Sequence, residues 1–377
     1  MIIAYDVSYI QKRPAGIGRY SYELLKNLLD IDNRNEYILH GWSFRIDASG
    51  IGLLSRDNVR LSIARIPGPI KRFYWNRLHT PSIGKFLGRF DVFHSAEPLL
   101  PPLGGVPAII TVHDLAYVRH PELFEKEVLR RDPYVRRSVG ESAAIIVPSL
   151  HTKGELVSLF GVDERKVRLV RPPLHRGCSP IRDPVMDDAV VRKYGLNSPF
   201  ALFVGVIEPR KNVEGIIRAF ERLHAAHSTD LDLVLVGRNG WLFEGTLRAI
   251  AHSPARLRIH RLQFVSDREL VSLYRSARFF VYPSFYEGYG SPVAEAMACG
   301  LPTITSNNSA LEEIGNGSVM LVDPRNMEEL SAAMLELSEN GTMRNRLSES
   351  GLLRISEIHG GSAAHTMTAL YEEVSRR

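Results

Sequence analysis

Short β-branched and aromatic runs alternate with amphipathic stretches from one end of the chain to the other, and this alternation limits the fold more than any other feature. Strand-like runs fall at 2–5, 37–40, 91–94, 108–112 and 144–148, then at 200–206, 231–237, 258–264, 278–282, 303–305 and 318–322. Helical spacing falls between them, for example at 19–29, 213–224, 267–276 and 292–298. Runs that are apolar on both faces, each followed by a helix, suit parallel strands covered on both sides. The expected class is therefore doubly wound α/β. The series starts twice, at Met1 and at Pro199, and the 377 residues suit two domains. The seam is Arg171-Pro172-Pro173-Leu174-His175-Arg176-Gly177-Cys178-Ser179-Pro180, rich in Pro and irregular. We expect one Rossmann-like domain over 1–172 and a second over 180–361, facing a central cleft where ligands sit at the carboxyl ends of the strands.

Composition narrows the function. With 44% hydrophobic and 24% charged residues the chain is an ordinary globular protein, and no apolar run nears the roughly 18–20 residues of a membrane span. Two cysteines, Cys178 and Cys299, are too few for a disulfide scaffold or a thiolate zinc site. Met1 runs straight into Ile2-Ile3-Ala4 with no basic segment or cleavage site, which predicts a cytoplasmic protein. The net charge of +5 is uneven: residues 1–175 hold 25 Lys+Arg against 18 Asp+Glu, the remainder 22 against 24. Between Asp57 and Asp91 no acid occurs, while Arg60, Arg65, Lys71, Arg72, Arg77, Lys85 and Arg89 do, interleaved with Phe73, Tyr74, Trp75 and Phe86. Such a stretch suits an anionic membrane surface or a phosphate-bearing partner, or else a solvated helical face whose aromatics turn inward. No nucleic-acid recognition module is visible.

Four segments could carry chemistry. The strongest is Tyr286-Glu287-Gly288-Tyr289-Gly290-Ser291-Pro292-Val293-Ala294-Glu295-Ala296-Met297-Ala298-Cys299-Gly300, read as a strand, a glycine loop and a helix. Ser291 is the expected N-cap, Pro292 the first helical residue, and Gly300 the stop. Gly288 and Gly290 let backbone amides approach an anion at a helix start. Glu287 on the loop and Glu295, expected in the first turn, could hold different parts of one ligand, each carboxylate able to accept a vicinal diol. In Val204-Gly205-Val206-Ile207-Glu208-Pro209-Arg210-Lys211-Asn212, with Asn212 the expected N-cap, two cations flank a helix start whose own dipole repels them, which points to an anion such as diphosphate. Ala15-Gly16-Ile17-Gly18-Arg19-Tyr20 could offer amides to a phosphate, though it lacks the third glycine of a dinucleotide fingerprint. His113 in Thr111-Val112-His113-Asp114 ends a strand, where it could contact substrate or move a proton. Asp30-Ile31-Asp32 and Asp230-Leu231-Asp232 read as surface caps, so no metal site is expected.

These strings, with Val147-Pro148-Ser149, Thr152-Lys153 and Leu235-Val236-Gly237-Arg238-Asn239-Gly240-Trp241, resemble the retaining GT-B glycosyltransferases of family 4, above all bacterial mannosyltransferase-like members that build O-antigen and exopolysaccharide. The order is the family's, from about residue 1 to 335. Tyr289 and Ser291 stand where Phe and Leu are commoner. The resemblance implies two Rossmann-like domains, with a nucleotide-sugar donor bound mainly by the C-terminal one. It places Arg210 and Lys211 on the diphosphate, Glu295 on the ribose, Glu287 on the transferred sugar, His113 near that sugar, and Gly16–Gly18 over the phosphates. It implies a last helix over 362–377 crossing back to the first domain. GDP-mannose is the expected donor and a UDP-sugar the alternative, with no metal required and base readout near 263–266. The acceptor would be a glycan or lipid-linked saccharide, met by a cytoplasmic enzyme that touches the membrane through residues 60–89. A GT-B epimerase, a sugar phosphorylase and a non-catalytic nucleotide-sugar-binding regulator are the other readings.

Overall fold

The computed structural model describes all residues except 11–15, 43–50, 52–55, 65–72, 198 and 377. The chain divides into two units. The first comprises Met1–Arg119, Lys126–Pro173 and Gly361–Arg377; the second comprises His120–Glu125 and Leu174–Gly360.

The first unit carries seven strands: β1 (Ile2–Asp6), β2 (Glu36–Gly41), β3 (Val59–Ile63), β4 (Val92–Ser95), β5 (Ala108–Thr111), β6 (Ala144–Val147) and β7 (Val167–Leu169). Their order is β3-β2-β1-β4-β5-β6-β7 and all pairs are parallel. Alternation of side chains sorts the core into two layers. Ile3, Tyr5, Tyr37, Leu39 and Ile109 face Leu24 and Leu28 of the helix Ile17–Ile31. Ala4, Ile38, Phe93, Ile110 and Ile145 face the opposite layer with Val135 and Val139. A large aliphatic side chain buried this completely contributes about 1.5–3 kcal/mol. The chain's last helix, Ala363–Ser375, completes the first layer with Met367, Leu370 and Tyr371, and Tyr371 Oη lies 2.6 Å from His94 Nδ1. Arg168 Nη2 reaches Glu373 at 2.8 Å.

The second unit repeats the plan with β8 (Phe200–Val204), β9 (Asp232–Val236), β10 (Ile259–Leu262), β11 (Phe279–Tyr282), β12 (Thr303–Ser306) and β13 (Met320–Val322). The order is β10-β9-β8-β11-β12-β13, again all parallel. Both sheets are thus Rossmann-like. Each has a switch point, between β1 and β4 in one and between β8 and β11 in the other, where chain direction across the sheet reverses and ligands bind.

Two strands escape the reading from sequence. β3 lies at an edge and buries none of its residues fully, so Arg60 and Ser62 interrupt its apolar pattern, and β7 is only three residues long. Three local expectations are corrected. Gly290, in the left-handed region at φ 98°, caps the helix Ser291–Ala298, so Ser291 is its first residue rather than its cap. Glu295 is the fifth residue of that helix, beyond the first turn, and is buried. Asn212 does precede the helix Val213–Ala226, but at φ 54° and without a side-chain cap; its Nδ2 donates to the Pro324 carbonyl at 2.7 Å.

Candidate functional site

The loops after β8 and β11 meet at the switch point of the second sheet. After β8 the chain makes the 3₁₀ turn Pro209–Lys211; after β11 it runs through 283–290 into the helix Ser291–Ala298. The two loops are tied by backbone: Phe285 N donates to Arg210 O at 2.9 Å, as does Ser284 Oγ at the same distance. The approach of the loops after β8 and β9 is also close, for a side chain at Gly237 (φ 152°) would overlap the Gly205 carbonyl. Gly290 is hemmed in likewise, a Cβ there falling 2.6 Å from Leu311 Cδ2.

Four charged side chains fill this junction. Arg210 Nη1 contacts Glu287 Oε2 at 2.9 Å and donates to the Tyr286 carbonyl at 2.8 Å, while its Nη2 reaches Glu208 Oε1 at 2.7 Å. Lys211 Nζ pairs with Glu287 Oε1 and donates to Tyr282 Oη at 2.6 Å. Glu287 Oε1 also accepts from Ser284 Oγ at 2.9 Å and from Tyr282 Oη at 3.0 Å. Its own amide donates to Ser309 Oγ at 3.0 Å. Glu208, Lys211 and Glu287 are each more than nine-tenths buried. Two anions and two cations therefore balance inside a poorly solvated pocket.

The two acids respond differently. Burial pushes both carboxyls up, but Arg210 and Lys211 outweigh it at Glu287 and hold it at about 2. At Glu208 burial wins, and the carboxyl lies above its usual range despite Arg210 and Lys211. Burial, then Arg210, lower Lys211 below the ordinary lysine value.

Gly288, Tyr289 and Gly290 are buried, whereas Ser291 is exposed at the helix start. Tyr289 Oη lies 2.6 Å from His359 Nε2. Glu295 accepts from Tyr274 Oη at 3.2 Å, within the same unit. The segment His120–Glu125 packs onto this unit too: Trp241 Nε1 donates to Leu123 O at 2.9 Å, and the His120 ring meets Tyr286 at 5.8 Å. Ser266, in the stretch expected to read a base, caps the helix Asp267–Ser276 in a capping box with Glu269.

The first unit gathers its own polar group at the ends of β1, β4 and β5. His113 Nε2 lies 2.8 Å from the Ala96 carbonyl, which can only accept, so Nε2 carries the proton and Nδ1 is the acceptor. Burial lowers its pKa, against that hydrogen bond, and its ring packs edge-on to Tyr20 at 4.7 Å. Gly16, at φ 52°, is the N-cap of the helix Ile17–Ile31, and Gly18 lies within that helix, buried; residues 11–15 of the same loop lie outside the described residues. Sequence reasoning missed Tyr9, Glu97 and Arg131: buried Glu97 takes Tyr9 Oη and Arg131 Nη2 on one oxygen, the latter at 2.8 Å. Their signal was position alone, Glu97 following β4 at the switch point. In the basic stretch Trp75 is buried against Trp42, while Phe73, Tyr74, Leu78 and Phe86 are exposed, and Arg65, Lys71 and Arg72 lie outside the described residues.

Among the described residues no group of three or more His, Cys, Asp or Glu could hold a metal ion, and no helix is long and apolar enough to cross a membrane.

Comparison with known proteins decides the family. Residues 14–175 match the model described as Glycosyltransferase Family 4, and residues 188–354 match Glycosyl transferases group 1. The chain is also 29% identical to O-antigen chain mannosyltransferase B of Escherichia coli over 371 residues, which cover 95% of this chain and 96% of that one. The chain belongs to the group 1 glycosyltransferases of family 4. It is also 27% identical to an MMP α-(1→4)-mannosyltransferase of Mycolicibacterium hassiacum, over 77% of this chain and 72% of that one. The fold matches WaaG, a glycosyltransferase involved in lipopolysaccharide biosynthesis, with a TM-score of 0.78 at 14% identity, covering 98% of this chain and 99% of WaaG. It matches Anabaena HepE in complex with UDP and glucose at 0.76 and 14%, over the whole of both chains.

Proposed function

We propose that this glycosyltransferase moves mannose from GDP-mannose to a glycan or lipid-linked acceptor in the synthesis of a bacterial surface polysaccharide, with retention at the sugar and without a metal. The observation that carries the reading is the buried Arg210–Lys211–Glu287 constellation at the switch point of the second sheet. Mannose is supported by the names of two relatives, at 29% and 27% identity. Arg210, Lys211 and the amides before and within the start of the helix Ser291–Ala298 hold the diphosphate, and Glu295 holds the ribose. Gly288, Tyr289, Gly290 and Ser291 wall the phosphates.

A leaving diphosphate gains negative charge as the glycosidic bond breaks, and fixed cations and amides stabilise that charge with little reorganisation. This is the work a divalent ion does in other transferases. Glu287 binds the sugar hydroxyls; in the first unit His113 is neutral, with Nδ1 able to accept from a hydroxyl. The acceptor oxygen attacks on the face the diphosphate leaves, forming the new C1–O bond as the old one breaks, and its proton passes to the departing phosphate oxygen. The exposed aromatics and cations of 73–89 rest on an anionic membrane. The test is transfer from GDP-mannose and, separately, UDP-glucose to mannosylated acceptors in EDTA, with product anomers assigned by NMR. α-Mannoside from GDP-mannose alone is the expected result; inverted product, or transfer only after a divalent ion is restored, contradicts the mechanism.

A further inference from the structure

Glu208 has no place in the scheme above, yet it is 4% exposed and one of its oxygens lies 2.7 Å from Arg210 Nη2, the cation assigned to the diphosphate. The charged and titratable groups facing it are Arg210, Lys211, Glu287 and Tyr282. Glu208 and Glu287 together neutralise the two cations without any ligand. A sugar diphosphate brings two further negative charges into that balance. One of the acids must then yield, because an uncompensated buried charge is costly.

Glu287 is the worse candidate to yield. It accepts from Ser284 Oγ and Tyr282 Oη in addition to its two cations, all of which favour its charged form. Glu208 has Arg210 as its close cation, and a diphosphate that draws Arg210 away leaves it among anions. Resting on the donor-site reading above, we infer that Glu208 is a displaceable counter-ion for Arg210 and takes up a proton from solvent when a nucleotide sugar binds. It is a positioning residue: it keeps Arg210 aimed and charge-balanced in the empty site, then becomes neutral so that it does not repel the phosphates. Its burial, which already raises it, shortens the step.

The sign of the pH dependence follows. Glu208 is ionised in the free protein above its free-state pKa and protonated in the complex up to a higher one. Donor affinity therefore rises as pH falls between the two, by up to about tenfold per pH unit, and levels off below the lower. Lys211 is the competing source of uptake, since burial lowers it and a diphosphate would raise it.

Isothermal titration of the full chain with GDP-mannose and with UDP-glucose, in buffers of differing ionisation enthalpy, counts the protons. Wild type should take up roughly half to one proton per donor in the window where affinity changes with pH. Glu208→Gln should abolish the uptake, flatten the pH profile and bind donor several-fold tighter at high pH. Lys211→Arg, which cannot lose its proton, should keep the uptake and sorts the two sources if Glu208→Gln folds poorly. Binding without uptake in wild type, uptake unchanged in Glu208→Gln, or uptake lost in Lys211→Arg would each overturn the inference and leave the donor site standing. Failure of both nucleotide sugars to bind would overturn the inference and the donor-site reading together.

Discussion

Glu287 ties together the charged junction of the second unit. It is buried, bridges Arg210 and Lys211, and takes hydrogen bonds from Ser284 and Tyr282. Removing its charge should cost on the order of 3 kcal/mol of stability, because two buried cations lose their common anion. Glu287→Gln should also lower kcat at saturating donor by about 100-fold, the scale of a lost electrostatic contact to the reacting group. Steady-state kinetics on the folded fraction check this, and near-normal turnover would remove Glu287 from the site. With a folded value near 2 against roughly 4.3 unfolded, Glu287 stabilises the fold above the unfolded value. That contribution fades as pH falls towards 2, so the stability gap between wild type and variant should narrow over this interval in urea titrations. The sequence names Glu287, Arg210 and Lys211 one by one through loop position and charge. Their mutual pairing is not legible there, because Lys211 and Glu287 lie 76 residues apart and only the sheet order brings β8 beside β11.

At the scale of elements, hydrophobic runs locate the strands that are buried on both faces. The same signal fails at β3 and β7, where an edge position or a short length leaves no long apolar run. Helix starts are less legible than strands. Ser291 looks like a cap by residue type, yet Gly290, in the left-handed region at φ 98°, takes the cap position one residue earlier. The π-helical turn Phe73–Leu78 divides its aromatics: Trp75 turns in against Trp42, and Phe73 and Tyr74 remain outside. Trp75 thus follows the reading in which the aromatics turn inward, and Phe73 and Tyr74 do not. Exposed rings beside Arg77, Lys85 and Arg89 should bind vesicles containing anionic lipid. Replacing those three cations with Gln should weaken binding roughly 100-fold, at about 1 kcal/mol each. Sedimentation with vesicles checks it, and unchanged partition would remove the membrane contact from the account.

The whole molecule is two Rossmann-like units in one glycosyltransferase chain, and that plan is legible because the strand–helix series restarts near Pro199. The last helix is a less obvious part of it. Ala363–Ser375 belongs to the first unit through Met367, Leu370 and Tyr371, although it follows the second in sequence. The proposed donor site requires the loops after β8 and β11 to bind the diphosphate of a nucleotide sugar. Thermal unfolding in the presence of GDP, UDP, ADP and TDP, then of the matching nucleotide sugars, tests it most directly, since a ligand bound only by the folded chain raises the midpoint with concentration. A rise with GDP and GDP-mannose, abolished in Glu295→Ala, is the expected result. A midpoint unmoved by every nucleotide, in a chain that is otherwise folded, would contradict it.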